Sequence, residues 1–276
     1  MRTAELFAFM RERHAIYERR QAGMPKPWTD DPILQTYKFC NIYRELDYGT
    51  QWFKRGWRER HADNPDLWFA SLVYRLVNWP DTMDELGFPV PWSAERFIKV
   101  LQARKASRLK VYSGAYMIST HGVREEKATY LARSLSLIWK RRKDLRPTPF
   151  DNCQSFHARL MGCFDIGSFL AAQVVADIKY TTPLNEAEDW WTFAASGPGS
   201  RGGLNWVCER PFKAAWKEED WYTKLMELKA GLDPLIKAAK MPKMHAQDLQ
   251  NCLCETFKRA KLIEGVGRPK QKYKGV

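Results

Sequence analysis

Residues 160–189 read LMGCFDIGSFLAAQVVADIKYTTPLNEAED, and this stretch decides the fold class. A glycine-bearing turn, Phe164-Asp165-Ile166-Gly167, runs into a segment where Phe169, Leu170, Ala171, Ala172, Val174, Val175, Ala176 and Ile178 leave almost no polar face. That is the pattern of a helix surrounded by protein. Gln173 and Asp177 interrupt it four residues apart, hence on one side. An amide and a carboxylate buried there cost free energy unless something satisfies them. Two readings stand: a hydrogen-bonded pair that fixes helix packing, or two groups that face a cavity.

Outward from this centre, helical spacing dominates. Leu6, Phe7, Met10, Ile16 and Tyr17 give residues 1–22 an apolar side, which Gly23-Met-Pro-Lys-Pro ends. Thr29 or Asp30 caps a second helix with Pro32 in its first turn, expected to run to about Tyr48. A third follows Asp66 and stops at Asn78-Trp-Pro-Asp. Further helices are expected near 81–87, 93–106, 123–143, 152–161, 167–179, 203–208, 217–239 and 245–260. Strand-like alternation is confined to a short piece around 109–118. The expected class is all-α, or nearly so. Residues 1–262 form a single helical catalytic domain, in one body or in two lobes with the cleft between them, followed by a basic, flexible tail over 263–276.

The chain has 276 residues, 45% of them hydrophobic, enough to bury a sizeable core. No apolar run approaches the roughly 18 residues of a membrane span. Met1 to Arg20 lacks the apolar core of a secretory signal, so the expected location is the cytoplasm. Six scattered cysteines show neither a disulfide framework nor metal-ligand spacing, and the expectation is reduced thiols, no metal and no cofactor. A net charge of +13 points to a polyanionic partner, nucleic acid first, because cations that neutralise phosphates release counterions. Acidic protein surfaces are the alternative.

Several clusters could carry chemistry. Residues 196–205 read SGPGSRGGLN, with Gly199, Ser200 and Arg201 at the centre. Such a loop can bring backbone N–H groups and a guanidinium to an anion, although a plain connection explains it too. It lacks the Lys-Ser/Thr ending of a nucleotide-binding P-loop. Asn41, Arg44 and Asp47 recur at helical spacing, as do Arg75 and Asn78. Cys254, Glu255 and Lys258 share one helical turn, so the thiol is either a lysine-activated nucleophile or a buried structural group. Among twelve tryptophans, Trp52, Trp57, Trp190 and Trp191 lie beside charged residues and suit base stacking.

Taken in order, several segments resemble one family. Met10-Arg-Glu-Arg-His-Ala-Ile-Tyr, Pro27-Trp-Thr-Asp-Asp-Pro-Ile-Leu, Phe39-Cys-Asn-Ile-Tyr-Arg-Glu-Leu-Asp, Ser113-Gly-Ala-Tyr, Phe169-Leu-Ala-Ala-Gln, Gly197-Pro-Gly-Ser-Arg-Gly-Gly-Leu and Leu253-Cys-Glu are similar to segments of the phage α-glutamyl/putrescinyl thymine pyrophosphorylases, or amino acid:DNA transferases. They are similar also to the helical domain fused to 5-hydroxymethyluracil DNA kinases. The resemblance spans about residues 5 to 260. A glycine turn, an apolar helix and an acid some twenty residues on further resemble the helix-hairpin-helix DNA glycosylases, with Gly167 at the hairpin and Asp189 as the acid.

This resemblance implies a glycosylase-like helical architecture and a part in phage DNA hypermodification. An amine, either an amino acid or a polyamine, displaces phosphate or pyrophosphate from the 5-methylene carbon of phosphorylated 5-hydroxymethyluracil in DNA. The implied partners are that DNA, the amine and a 5-hydroxymethyluracil DNA kinase. The base would be flipped into a cationic pocket. Asp189 is the expected general base with Glu255 in reserve, and Arg201, then Arg44, the expected phosphate ligands beside Gly199 and Ser200. Gln173, Asp177, Asn41 and Tyr116 would hold the base or the amine, and Cys254 could add to ring carbon 6. Base excision and a non-catalytic DNA-binding subunit for a kinase are the alternatives.

Overall fold

Three stretches of chain fold into two helical units: residues 1–47 with 191–276, and residues 48–190. In chain order, α1 (Thr3–Gln21) and α2 (Pro32–Thr36) begin the first unit. The second holds α3 (Tyr48–Phe53), a π-helical turn over Lys54–Arg58, α4 (Leu67–Val77), α5 (Pro80–Leu86), α6 (Ala94–Ala106), α7 (Lys127–Lys140), α8 (Arg142–Leu145), α9 (Cys153–Met161) and α10 (Ser168–Ile178). The chain then returns to the first unit for α11 (Pro198–Val207), α12 (Glu218–Ala238) and α13 (Ala246–Ile263). This computed structural model describes residues 1–114, 122–267 and 272–273. Among them there is no strand, only an isolated bridge between Tyr37 and Lys272, so the chain is all-helical.

In the first unit, Leu6, Phe9, Met10 and Ile16 of α1 join Trp221, Leu225, Leu228 and Leu232 of α12 and Leu249 and Leu253 of α13 in one apolar core. α11 lies closest to α13 because of its glycines. A Cβ on Gly202 would meet the Phe257 ring at 2.7 Å, and one on Gly203 would meet the Leu253 carbonyl oxygen at 2.0 Å. The glycine-rich block read as an anion loop is therefore largely the packing face of a helix. That helix begins at Pro198, five residues before the expected start. Of the tail, Lys272 and Tyr273 pair with Tyr37 and Thr36.

In the second unit, α10 is central, as its composition requires, and packs on α4 and α9. The carboxylate of Asp177, with no exposed surface, accepts from Arg75 Nε at 2.7 Å and from Ser71 Oγ at 2.7 Å. A second Arg75 nitrogen, Nη2, makes the pair bidentate. Removing one partner of such a buried pair costs about 3–5 kcal/mol.

The structure differs from expectation in two further elements and adds α3 and the π-helical turn after it, which were not expected. The second helix is capped by Asp31 and not by Thr29 or Asp30, the carboxylate accepting the N–H groups of Ile33 and Leu34, and it ends at Thr36 instead of near Tyr48. The ladder stops because side chains capture the backbone beyond it. Arg13 donates to the Phe39 carbonyl at 3.1 Å, and Glu255 accepts the Cys40 N–H at 2.9 Å. Around 109–114 the chain is irregular, and the rest of the expected strand, Tyr116 included, lies outside the described residues.

Candidate functional site

Segment 40–47 and α13 bring most of the sequence-chosen residues of the first unit together. Asp248, Asn251 and Glu255 recur at three, four and seven residues along α13, so they share a face. Asp248 Oδ1 accepts the Arg44 N–H at 3.0 Å, Asn251 Nδ2 donates to the Asn41 carbonyl at 3.2 Å, and Glu255 Oε2 holds Cys40. Three side chains thus lay residues 40–44 along the helix. The Asp248 carboxylate is itself steadied by His245 Nδ1 at 3.0 Å. Asp248 and Arg13 escape sequence reading because their partners lie hundreds and tens of residues away, and His245 because it acts only through Asp248.

What this segment presents is chemically specific. The Asn41 side-chain nitrogen donates to the Leu46 carbonyl at 2.8 Å and to Asp47 Oδ1 at 3.2 Å. That fixes the amide, and its buried Oδ1 has no partner among the described residues. It is an acceptor waiting for an N–H. The Arg44 guanidinium, half-buried, makes no hydrogen bond or ion pair with a described residue, so its donors are available to an anion. Glu255 spends Oε2 on Cys40 and lies 3.4 Å from Lys258 Nζ, while Oε1 is unpartnered among the described residues.

Burial raises Asp47 to about 6, with Glu255 adding to the rise, while the Asn41 N–H, Arg44 and Arg13 pull the other way. A carboxyl so placed gains or loses a proton near neutral pH, as an acid-base group must. Burial also pushes the Cys254 thiol up to about 12, although the Ser200 N–H and hydroxyl at the start of α11 favour the thiolate. At that value the thiolate is scarce near neutral pH. Gly199 makes room for this thiol, since a Cβ there would lie 3.1 Å from its Sγ. Ser200 is buried and closes the first turn of α11, its Oγ 3.0 Å from the Gly197 N–H.

Arg201 is committed elsewhere. Its Nε donates to Ser196 Oγ at 2.8 Å, Nη1 to the Trp216 carbonyl at 3.0 Å and Nη2 to Glu218 at 2.7 Å. Burial works against the Glu218 carboxylate, yet bonds from Ser196 and Arg201 hold it below its ordinary range. A phosphate would have to displace Glu218 to take this guanidinium.

Gln173, Asp177 and Asp189 belong to the second unit. Asp177 is spent on Arg75 and Ser71, which is the packing reading of residues 160–189, and Gln173 beside it is buried. Asp189 accepts the N–H groups of Cys153 and Gln154, both at 2.8 Å, in the first turn of α9. Its two oxygens thereby satisfy N–H groups that have no partner within that helix. Trp190 donates its indole N–H to the Lys179 carbonyl at 2.7 Å, and Trp191, in the first unit, lies 4.7 Å from the His245 ring. Among the described residues, no group of three acidic, histidine or cysteine side chains is arranged to hold a metal.

Comparison with known families adds what geometry alone does not. The family described as "5-hmdU DNA kinase, helical domain" matches residues 2–265. The chain belongs to this family. It is also similar to the 5-hmdU DNA kinase of Bacillus phage SP10, 26% identical over 221 residues. That match covers 72% of this chain and 35% of the kinase, so the chain spans about a third of its curated relative. No solved structure matches. No helix among the described residues is long and apolar enough to cross a membrane.

Proposed function

We infer that the protein is a transferase that replaces the phosphate or pyrophosphate of phosphorylated 5-hydroxymethyluracil in DNA with an amine, an amino acid or a polyamine. The observation that carries this reading is the Arg44 guanidinium, unpaired among the described residues, in one segment with the near-neutral carboxyl of Asp47 and held on α13 beside Glu255. Membership in a family tied to 5-hmdU DNA supplies the substrate class. The architecture assigned is that of a helix-hairpin-helix glycosylase, with α9, the turn over 162–167 and α10 as the hairpin.

The step is a displacement. The amine nitrogen donates its lone pair to the 5-methylene carbon, the carbon–oxygen bond breaks, and the phosphate leaves with the bonding electrons. Arg44 takes up the charge gathering on the leaving oxygens. Asp47 or Glu255 accepts the proton that the attacking nitrogen must lose, and the Asn41 Oδ1 accepts an N–H from the base or the amine. No bond to Cys254 is needed.

Incubating the protein with phosphorylated 5-hydroxymethyluracil DNA and a mixture of amines, followed by nucleoside mass spectrometry, tests this. The expected product is a thymidine heavier by one amine. Abasic sites would mean base excision instead, and recovery of the input nucleoside alone overturns the reading. The share of the SP10 kinase that the chain matches favours one second reading, a non-catalytic module that presents DNA to a base kinase. That module would tolerate Arg44→Ala and Asp47→Asn together, which the transferase does not.

A further inference from the structure

The second unit carries a surface that the proposed reaction does not use. α7 ends in Lys140, and Arg141, Arg142 and Lys143 follow directly. Arg142 and Arg146 are committed to the Asp66 carboxylate, at 3.7 Å and 2.8 Å. Lys140, Arg141 and Lys143 are exposed, and their side chains have no ion pair among the described residues, Asp144 included. Three uncompensated cations therefore sit together at the end of one helix.

The turn between α9 and α10 is fixed to the same helix. Tyr130 and Ser134, one turn apart on α7, donate to Asp165 Oδ2 at 2.6 Å and 2.8 Å. Arg141 lies seven residues beyond Ser134, on the same face, and its charge is felt by the Cys163 thiol. Asp165 itself adopts φ +64°, the left-handed conformation that reverses the chain. The N–H groups of Gly162, Cys163 and Ile166 are bonded to carbonyls within the turn and the end of α9. What the turn offers outward is a ring: Phe164 is 57% exposed, and Met161 of α9, at 41%, and Leu137 of α7, at 47%, are exposed as well.

We propose that this face binds duplex DNA, with Lys140, Arg141 and Lys143 on backbone phosphates and Phe164 pressed as a wedge into the base stack. Exposed apolar side chains alone would suit a protein partner, but Arg141 beside the turn, with Lys140 and Lys143 adjoining it in sequence and likewise without an ion pair among the described residues, selects a polyanion, and an apolar wedge beside phosphate contacts unstacks bases. The proposal rests on reading the chain as a DNA-acting enzyme, and it says where that enzyme grips its substrate.

The test uses the full chain, an unmodified duplex carrying 2-aminopurine, and a salt titration. The wild type binds and brightens the probe. Lys140→Glu, Arg141→Glu and Lys143→Glu together lower affinity at least about tenfold at about 0.1 M salt, and shrink the slope of log affinity against log salt by about 2 to 3. The matching glutamine triple shows a smaller loss of the same kind, which separates charge from misfolding. Phe164→Ala keeps the salt slope and loses most of the brightening. Glutamate-triple binding within twofold of wild type, or full brightening by Phe164→Ala, overturns the proposal. A wild type that binds no DNA overturns the functional reading as well.

Discussion

A Cβ on Gly203 would lie 2.0 Å from the carbonyl oxygen of Leu253, closer than atoms can approach, whereas one on Gly231 of α12 meets nothing within 4 Å. Gly203→Ala must therefore push α11 off α13, at a cost of about 3 kcal/mol or more. Gly231→Ala in its exposed mid-helix position stabilises by about 0.5–1 kcal/mol. Urea unfolding of both variants checks the contrast, and equal effects would refute the packing account.

Asp47 gives stability a pH dependence of definite sign. Its folded-state pKa of about 6 lies above that of an unfolded aspartate, so the folded chain binds more protons between these values. Stability then falls as pH rises from about 4 to about 6 and levels off above, by about 3 kcal/mol at most. Asp47→Asn removes that fall, leaving the variant the more stable of the two at pH 8 and no different at pH 4. If Asp47 also takes the amine proton, the same variant loses activity while melting higher, and the wild-type rate rises through pH 6.

Arg44 and Arg201 should separate cleanly. Arg44→Ala lowers the transfer rate by about 10²–10³ with little change in melting temperature, since the guanidinium makes no hydrogen bond or ion pair with a described residue and acts on Asp47 only through its charge. Arg201→Ala frees Glu218 and Ser196 from their partner and is expected to move the melting temperature more than the rate. Rate constants and thermal melts measured side by side decide; the reverse pattern would return the phosphate to Arg201.

Cys254→Ser is expected to cost less than tenfold in rate, because a thiol pushed up to about 12 is a poor nucleophile. Reaction with iodoacetamide at pH 7 should likewise be slow. A loss beyond a hundredfold would restore a covalent step.

Much of this architecture is legible in local pattern. The apolar block before Asp177 marks a central helix, and Asp66, Ser93 and Asn152 stand where helices begin. Non-local chemistry is what local reading misses. Helical spacing carried the second helix on to Tyr48, yet Arg13 and Glu255 take the backbone at residues 39 and 40 from opposite ends of the chain. The glycines at 199–203 look alike whether they face an anion or a neighbouring helix, and only Leu253 and Phe257 distinguish the two. Asp47 shows the same limit: its spacing from Asn41 was visible, but the burial that tunes it was not.

Residues 48–190 interrupt the segments that make the first unit, and this orders events at the ribosome. The inserted unit is contiguous and can form while synthesis continues. Residues 40–47 must wait for Asp248, Asn251 and Glu255, some two hundred positions later, before Arg44 is set in place. A nascent chain arrested near residue 190 would thus display a protected middle and a protease-sensitive beginning.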